Sequence, residues 1–258
     1  MHPMNSVLRF EKVSFGYKKN ETVLEDISFS LTEASAAALM GINGAGKSTI
    51  TWLASRILEP RKGTIDWWGR STDQWDEKMK RRIGLLAASD PLFEFLTIDD
   101  HLHYVGKLYG LDAATIRKRT ANLKSVFGLD EFDGRLINTL STGNRRKCGI
   151  ITTLIHRPAL LIWDEPFNGL DPIATVRLKE LIKKLKTDGT TLLITSQVIE
   201  PIEEICDKLL LLDSKRLVLD EPVSNLAGIK ARYGVHNLES LIYKIGMEKA
   251  RLPDMDWT

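Results

Sequence analysis

The chain has 258 residues, enough for one large α/β domain or a domain carrying a subdomain. Its 36 Lys and Arg stand against 34 Asp and Glu, a formal charge of +2, which lacks the basic footprint of a dedicated nucleic-acid binder, so no nucleic-acid partner is expected. No apolar run approaches the roughly 18 residues that span a bilayer, and the start, MHPMNSVLRF, lacks a signal peptide's apolar core; a soluble chain is expected, with any membrane role coming through a partner.

Leu8 to Phe15 and Thr22 to Leu31 alternate apolar and polar residues, which predicts strands of a half-exposed antiparallel sheet. Tyr17 lies in the turn between them, either as a plain turn residue or as an aromatic able to stack on a base. Ala36 to Met40 reads as a short buried strand. The stretch that follows, Gly41 to Thr49 (GINGAGKST), fits the phosphate-loop pattern G-x-x-x-x-G-K-[ST] with Gly41, Gly46, Lys47 and Ser48. From Thr49 to Leu58, Ile50, Leu53, Ala54 and Ile57 recur at helical spacing, and Glu59-Pro60 is expected to stop that helix. Strand, glycine-rich turn and helix are the setting this motif needs. The glycines let the backbone approach phosphates, the helix start offers free N–H groups, and Lys47 adds a point charge. Asn43, Gly44, Ala45 and Thr49 complete the expected cradle. Ser48 would place its hydroxyl on Mg²⁺, an ion bound by few protein oxygens together with phosphates. The chain is thus expected to bind a nucleoside triphosphate.

Gly63 to Gly69 reads as another half-exposed strand, and Ile83 to Leu86 as a core strand followed by a loop from Ala87 to Phe95. Helices are predicted over Ile98–Leu108 and Ala113–Phe127, ended by Gly110 and Gly128. The segment from about 88 to 145 therefore looks like a helical insertion into an α/β core. Leu160 to Trp163 is an apolar strand delivering Asp164-Glu165-Pro166. Beside a phosphate loop, Asp164 is placed to hold Mg²⁺ through water, and Glu165 to orient or deprotonate an attacking water; the plainer reading is a turn with two exposed acids. Val176 to Leu185 is an amphipathic helix whose lysines form a solvated face. Thr191–Thr195 and Lys208–Leu212 are two more core strands, and the alternation of strands and helices argues for a mainly parallel sheet. Asn225 to Gly246 is expected as two short helices, and Lys249 to Thr258 as a loose tail. Cys148 and Cys206, far apart among apolar neighbours, are expected as buried thiols, in keeping with a reducing cytosol.

Taken together, these motifs resemble those of an ATP-binding-cassette (ABC) ATPase, the nucleotide-binding subunit of a transporter, and most of all exporter-type single-cassette subunits of bacteria. Leu140-Ser141-Thr142-Gly143-Asn144 is similar to the family's LSGGQ signature, with Thr142 in place of a glycine, and a basic run, Arg145-Arg146-Lys147, follows it. Phe167 to Pro172 resembles the D-loop and brings Asp171 into the expected nucleotide-binding set. The resemblance covers roughly residues 7 to 220 in the family's order. It implies an α/β fold: a P-loop NTPase core with an N-terminal antiparallel β subdomain and an inserted α-helical subdomain. Residues 7–222 would form the ATP-binding domain, and 223–258 a short helical extension and tail.

The same resemblance implies ATP and Mg²⁺ as cofactors and ATP hydrolysis coupled to transport. A second ABC subunit, identical or different, would pair head-to-tail, the Gly41–Thr49 loop of one chain facing Ser141 and Gly143 of the other. Tyr17 resembles the aromatic that stacks on adenine; Asp164 matches the Mg²⁺-associated aspartate and Glu165 the catalytic base. An integral-membrane permease subunit is the implied partner, met by the segment Asp90 to Thr97, in which Phe93 and Phe95 are either exposed contacts or helical-subdomain core. The cassette would then be cytoplasmic, peripheral on the inner face of the cell membrane.

Two positions depart from the family pattern. Where the family carries a glutamine after the Ile83–Leu86 strand, this chain has Ala88, with Ser89 beside it. Where it carries a switch histidine, this chain has Gln197, whose amide can donate to a phosphate but carries no charge. Hydrolysis slower than that of a full site is therefore expected, unless Ser89 and Gln197 substitute adequately. Two other readings stay open: a family member without a membrane partner, and a nucleotide-gated regulatory module with little turnover.

Overall fold

In the computed structural model, which describes residues 6–89, 92–197 and 199–246, the alternation between Leu8 and Phe15 becomes strand β1 (Ser6–Phe15). It pairs antiparallel with β2 (Leu24–Thr32), and Phe10 faces Phe29 across the ladder with their rings stacked at 4.6 Å. On its other side β1 takes β4 (Lys62–Trp67), which runs on into β5 (Arg70–Ser71), giving the antiparallel order β2-β1-β4-β5. This is the expected half-exposed sheet.

Strand β3 (Ala36–Met40) lies instead in the second sheet and is buried along its whole length. Ala36, Ala38 and Met40 face one apolar core, Ala37 and Leu39 the other, which explains a strand built largely of small residues between two packed layers. Helix α1 (Lys47–Ala54) follows the phosphate loop and stops four residues before the expected Leu58. The cause is a local cap: Arg56 takes a left-handed conformation (φ 61°), its N–H reaches Leu53 O and that of Ile57 reaches Trp52 O. These are the paired bonds of a Schellman stop, formed before Pro60 is reached. A single turn, α2 (Glu77–Lys80), leads to β6 (Ile83–Leu86).

Helices α3 (Ile98–Leu108) and α4 (Ala113–Phe127) occupy the predicted ranges, capped by Thr97 and Asp112, which accept the N–H groups of Asp100 and Thr115. Phe93 packs edge-on against Tyr104 at 5.0 Å and Phe95 is 81% exposed; neither belongs to the buried core. Asp90 and Pro91, part of the expected partner-facing segment, lie outside the described residues. Helix α5 (Thr142–Leu154) precedes β7 (Leu160–Asp164). Helix α6 (Pro172–Thr187) starts four residues earlier than the periodicity placed it, because Asp171 caps its N-terminus and Pro172 occupies the first turn.

Strand β8 (Thr191–Thr195), helix α7 (Glu200–Ile205) and strand β9 (Lys208–Asp213) follow. The lysine face of α6 is not wholly solvated: Lys179 and Lys183 both reach Glu204 of α7, and Lys186 reaches Asp207. Strand β10 (Arg216–Pro222), absent from the sequence expectations, turns back antiparallel on β9. Helices α8 (Leu226–Tyr233) and α9 (Leu238–Gly246) are the two expected short helices; the tail from Lys249 lies outside the described residues. The second sheet has the order β10-β9-β3-β8-β7-β6, parallel except for β10. Cys148 and Cys206 are buried and not joined in a disulfide, and no described helix is long and apolar enough to cross a membrane.

Candidate functional site

The loop between β3 and α1 is shaped by backbone requirements. Gly46 has φ 108°, and a Cβ there would stand 2.9 Å from Leu24 Cδ2, so only glycine fits immediately before the helix. No side chain caps the N-terminus of α1 and its first turn holds no acid, so its N–H groups are free for an anion. Lys47 is buried; its Nζ donates to Gly41 O at 2.7 Å and Ile42 O at 3.3 Å, folding the ammonium over the loop. Burial draws its pKa below the ordinary lysine value, opposed first by the Glu165 carboxylate and then by Asp164. Tyr17 stands at the rim, half exposed, its hydroxyl 3.0 Å from Thr49 Oγ1 and its ring edge-on to Phe15.

Strand β7 ends at Asp164, which is 2% exposed and accepts a hydrogen bond from the Thr195 hydroxyl through Oδ1. Glu165 comes next with φ 52°, a left-handed conformation costing a non-glycine residue about 1 kcal/mol or more. Its N–H is held by Thr195, by the hydroxyl at 2.9 Å and the carbonyl at 3.2 Å. Its Oε2 accepts the Gln197 main-chain N–H at 3.0 Å, whereas its buried Oε1 has no hydrogen-bond partner among the described residues. Beneath this turn, Arg146 of α5 donates to Ala87 O at 2.9 Å, to Asp164 O, and to Glu165 O at 3.0 Å.

These elements enclose a cavity of about 870 Å³. Asn43, Gly44 and the stretch Gly46–Thr49 form one wall with Tyr17, and Asp164, Glu165 and Gln197 form the facing one. Ala88 also borders it and brings no ligand atom. Gly41 and Ala45 support the loop without lining the cavity. Ser141, Gly143 and Asp171 are likewise outside it: Ser141 caps α5 by accepting the Asn144 N–H, and Asp171 caps α6 and pairs with Lys147 at 2.8 Å. Gly143 lies so near Gly169 that a Cβ would meet its carbonyl oxygen at 2.7 Å. Arg146 and Thr195 carry no sequence signal of their own. The first was one of a basic run and the second the polar end of an apolar strand, and only the packing reveals their partners.

Among the described residues no group of three or more His, Cys, Asp or Glu forms a metal cage. Among the groups that border the cavity are the Asp164 carboxylate and the Ser48 hydroxyl. That donor set fits Mg²⁺, which keeps waters and takes most of its remaining ligands from phosphates.

A family model described as ABC transporter matches residues 24–168. The ABC transporter ATP-binding protein NatA of Bacillus subtilis is 32% identical over 202 residues, 78% of this chain and 82% of that protein. The lantibiotic transport ATP-binding protein SrtF of Streptococcus pyogenes is 31% identical over 246 residues, 95% of this chain and all of that one. Among solved structures, an ATP-binding subunit of an ABC transporter superposes with a TM-score of 0.84 at 29% identity, covering 93% of this chain and 99% of that one.

Proposed function

Because this chain belongs to the ABC transporter family, as its ATP-binding, ATP-hydrolysing subunit, we propose that it works as a head-to-tail dimer driving a separate membrane permease, in the direction of export. The relative named for lantibiotic transport, alike over almost the whole chain, supports the transport reading, and one named for Nod factor export supports the direction. The cassette would sit in the cytoplasm against the inner face of the membrane, held there by its permease, with Phe95 and Phe93 in the contact. Residues 7–222 would form the ATP-binding domain, including the helical subdomain of about 88–145. The rest would be an extension, docked by Leu226, Ile229, Leu238 and Leu241 onto the same core.

The observation that carries the hydrolytic role is the state of Glu165, one carboxylate oxygen fixed by the Gln197 N–H and the other buried without a partner. Such an oxygen would accept the hydrogen bond of a water and take its proton as that water attacks the terminal phosphorus of ATP. The N–H groups at the start of α1 and the Lys47 ammonium would receive the phosphates, and Tyr17 would stack on the base. Ser48 and Asp164 would hold Mg²⁺, which when bound neutralises charge on the terminal phosphates. The Gln197 amide would donate to the terminal phosphate. Ser141, Gly143 and Asp171, outside this chain's own cavity, would complete the nucleotide site of the second subunit. With an alanine at 88 and an uncharged side chain at 197, turnover would be slow.

Glu165→Gln tests this reading. Phosphate release should fall by about a hundredfold or more while ATP binding persists, and pulldown of the tagged chain from gently solubilised membranes should recover a multi-span protein in stoichiometric amount. A parent chain already at the Glu165→Gln rate, recovered without a membrane protein, would replace it with a regulatory module of little turnover.

A further inference from the structure

Thr195 ends β8 directly opposite Asp164 in the parallel ladder. It is fully buried, and its hydroxyl does two things at once: it donates to Asp164 Oδ1 and accepts the Glu165 N–H at 2.9 Å. A threonine hydroxyl has one proton to give, and here it goes to a carboxylate. We propose that Thr195 is a positioning residue for ATP hydrolysis, its hydroxyl aiming the Asp164 carboxylate for Mg²⁺ and holding the Glu165 backbone in its left-handed turn. This rests on the roles given above to Asp164 and Glu165.

The physical case is one of lost freedom. A strand-end aspartate turns about two side-chain torsions, and a buried donor on one oxygen selects a single arrangement and leaves the other oxygen to a metal. Glu165 needs the same help for another reason: its φ of 52° is held only if its N–H has a partner in that conformation. The Thr195 carbonyl, 3.2 Å from the same N–H, survives any substitution, so removing the hydroxyl does not strand that amide. What is lost is the donor to Asp164 and the nearer of the two acceptors for Glu165.

The test compares the full chain with Thr195→Val, which keeps the shape without the hydroxyl, and Thr195→Ser, which keeps the hydroxyl without the methyl. Steady-state hydrolysis gives kcat and KM for ATP. The Mg²⁺ concentration that half-saturates binding of a fluorescent ATP analogue is read in a Glu165→Gln background, where turnover does not intrude. Valine should lower kcat and raise the Mg²⁺ requirement, each by about tenfold or more, with KM within about threefold at saturating Mg²⁺. Serine should restore both to within about threefold of the parent. A valine variant equal to the parent in both would overturn the proposal. So would a serine variant as impaired as valine, which would assign the effect to methyl packing. If the valine chain does not fold, Thr195→Ala against Thr195→Ser makes the same comparison, the two differing only by the hydroxyl. Should the parent bind ATP without hydrolysing it, the function proposed above fails, and the Mg²⁺ requirement still decides the role of Thr195.

Discussion

Gln197 grips Glu165 with its backbone: the main-chain N–H of Gln197 lies 3.0 Å from Glu165 Oε2. The side chain at 197 is therefore free to be exchanged without releasing the carboxylate.

That separation makes Gln197→His an informative change. Histidine would keep the hold on Glu165 and add a donor able to carry positive charge toward the terminal phosphate. A donor of this kind is commonly worth on the order of a hundredfold in rate, so a rise in kcat of about tenfold or more is expected, with Ala88→Gln adding to it. Phosphate release under saturating ATP measures this. An unchanged rate in both variants would mean that the native residues already serve.

His101 ties the helical segment to α5. Its Nε2 is 3.1 Å from Thr152 Oγ1, and the Thr152 hydroxyl already donates to Cys148 O at 2.7 Å, so the ring must donate from Nε2. Its Nδ1 is then the acceptor for the Phe93 N–H at 3.5 Å, and a second proton on the ring would face that donor. Burial lowers the His101 pKa from 6.5 to about 4, and burial does the same to His156. The folded pKa lies below the unfolded one, so the unfolded chain binds more protons in between. Stability is complete above about pH 6.5 and declines as pH falls from there toward 4. Melting temperature followed from pH 7.5 to 4.5 should drop across this window, and less steeply in His101→Gln. Equal slopes in parent and variant would remove His101 from the account.

Gly143→Ala examines the proposed pairing of two chains. The new Cβ would press on the Gly169 carbonyl oxygen at 2.7 Å, a separation that real Cβ atoms do not tolerate, so the first turn of α5 must shift. ATP-dependent dimers, followed by light scattering, should be lost, and turnover should fall by about tenfold or more, since a small misplacement of a reacting constellation costs on that order. ATP binding by the single chain should fall far less than turnover, because the Gly46–Thr49 cradle lies on a different element, even though Thr142 and Gly169 beside the new methyl border the same cavity. A variant that dimerises like the parent would argue against placing this segment in the interface.

Local signals carried much of the structure. The phosphate loop, the strand into Asp164 and the bounds of α3 and α4 were readable because each has its own period and its own cap or glycine stop. Reading failed where a stop or turn used unusual residues. Arg56 fills the left-handed position after α1 that glycine commonly takes, and Ser214-Lys215, both at positive φ, make the β9–β10 turn without glycine or asparagine. Asp171-Pro172 reads as the end of the D-loop-like stretch, although it also starts α6. The grips on Asp164 and Glu165 were illegible for another reason: Thr195 and Gln197 are some thirty residues away, and Arg146 about twenty, brought there only by sheet register and helix packing.

Arg146 carries a mechanical consequence. Its guanidinium spans from the carbonyl of Ala87, just past β6, to those of Asp164 and Glu165, at the end of β7, while its own backbone belongs to the first turns of α5. A rigid planar fork cannot follow one of these anchors and ignore the others. A tilt of α5, or a tug on the loop that holds Ala87, therefore reaches the backbone of Glu165, the residue proposed to activate water, through one side chain. The placement of Glu165 would then register load on the surface where the proposed permease would pull.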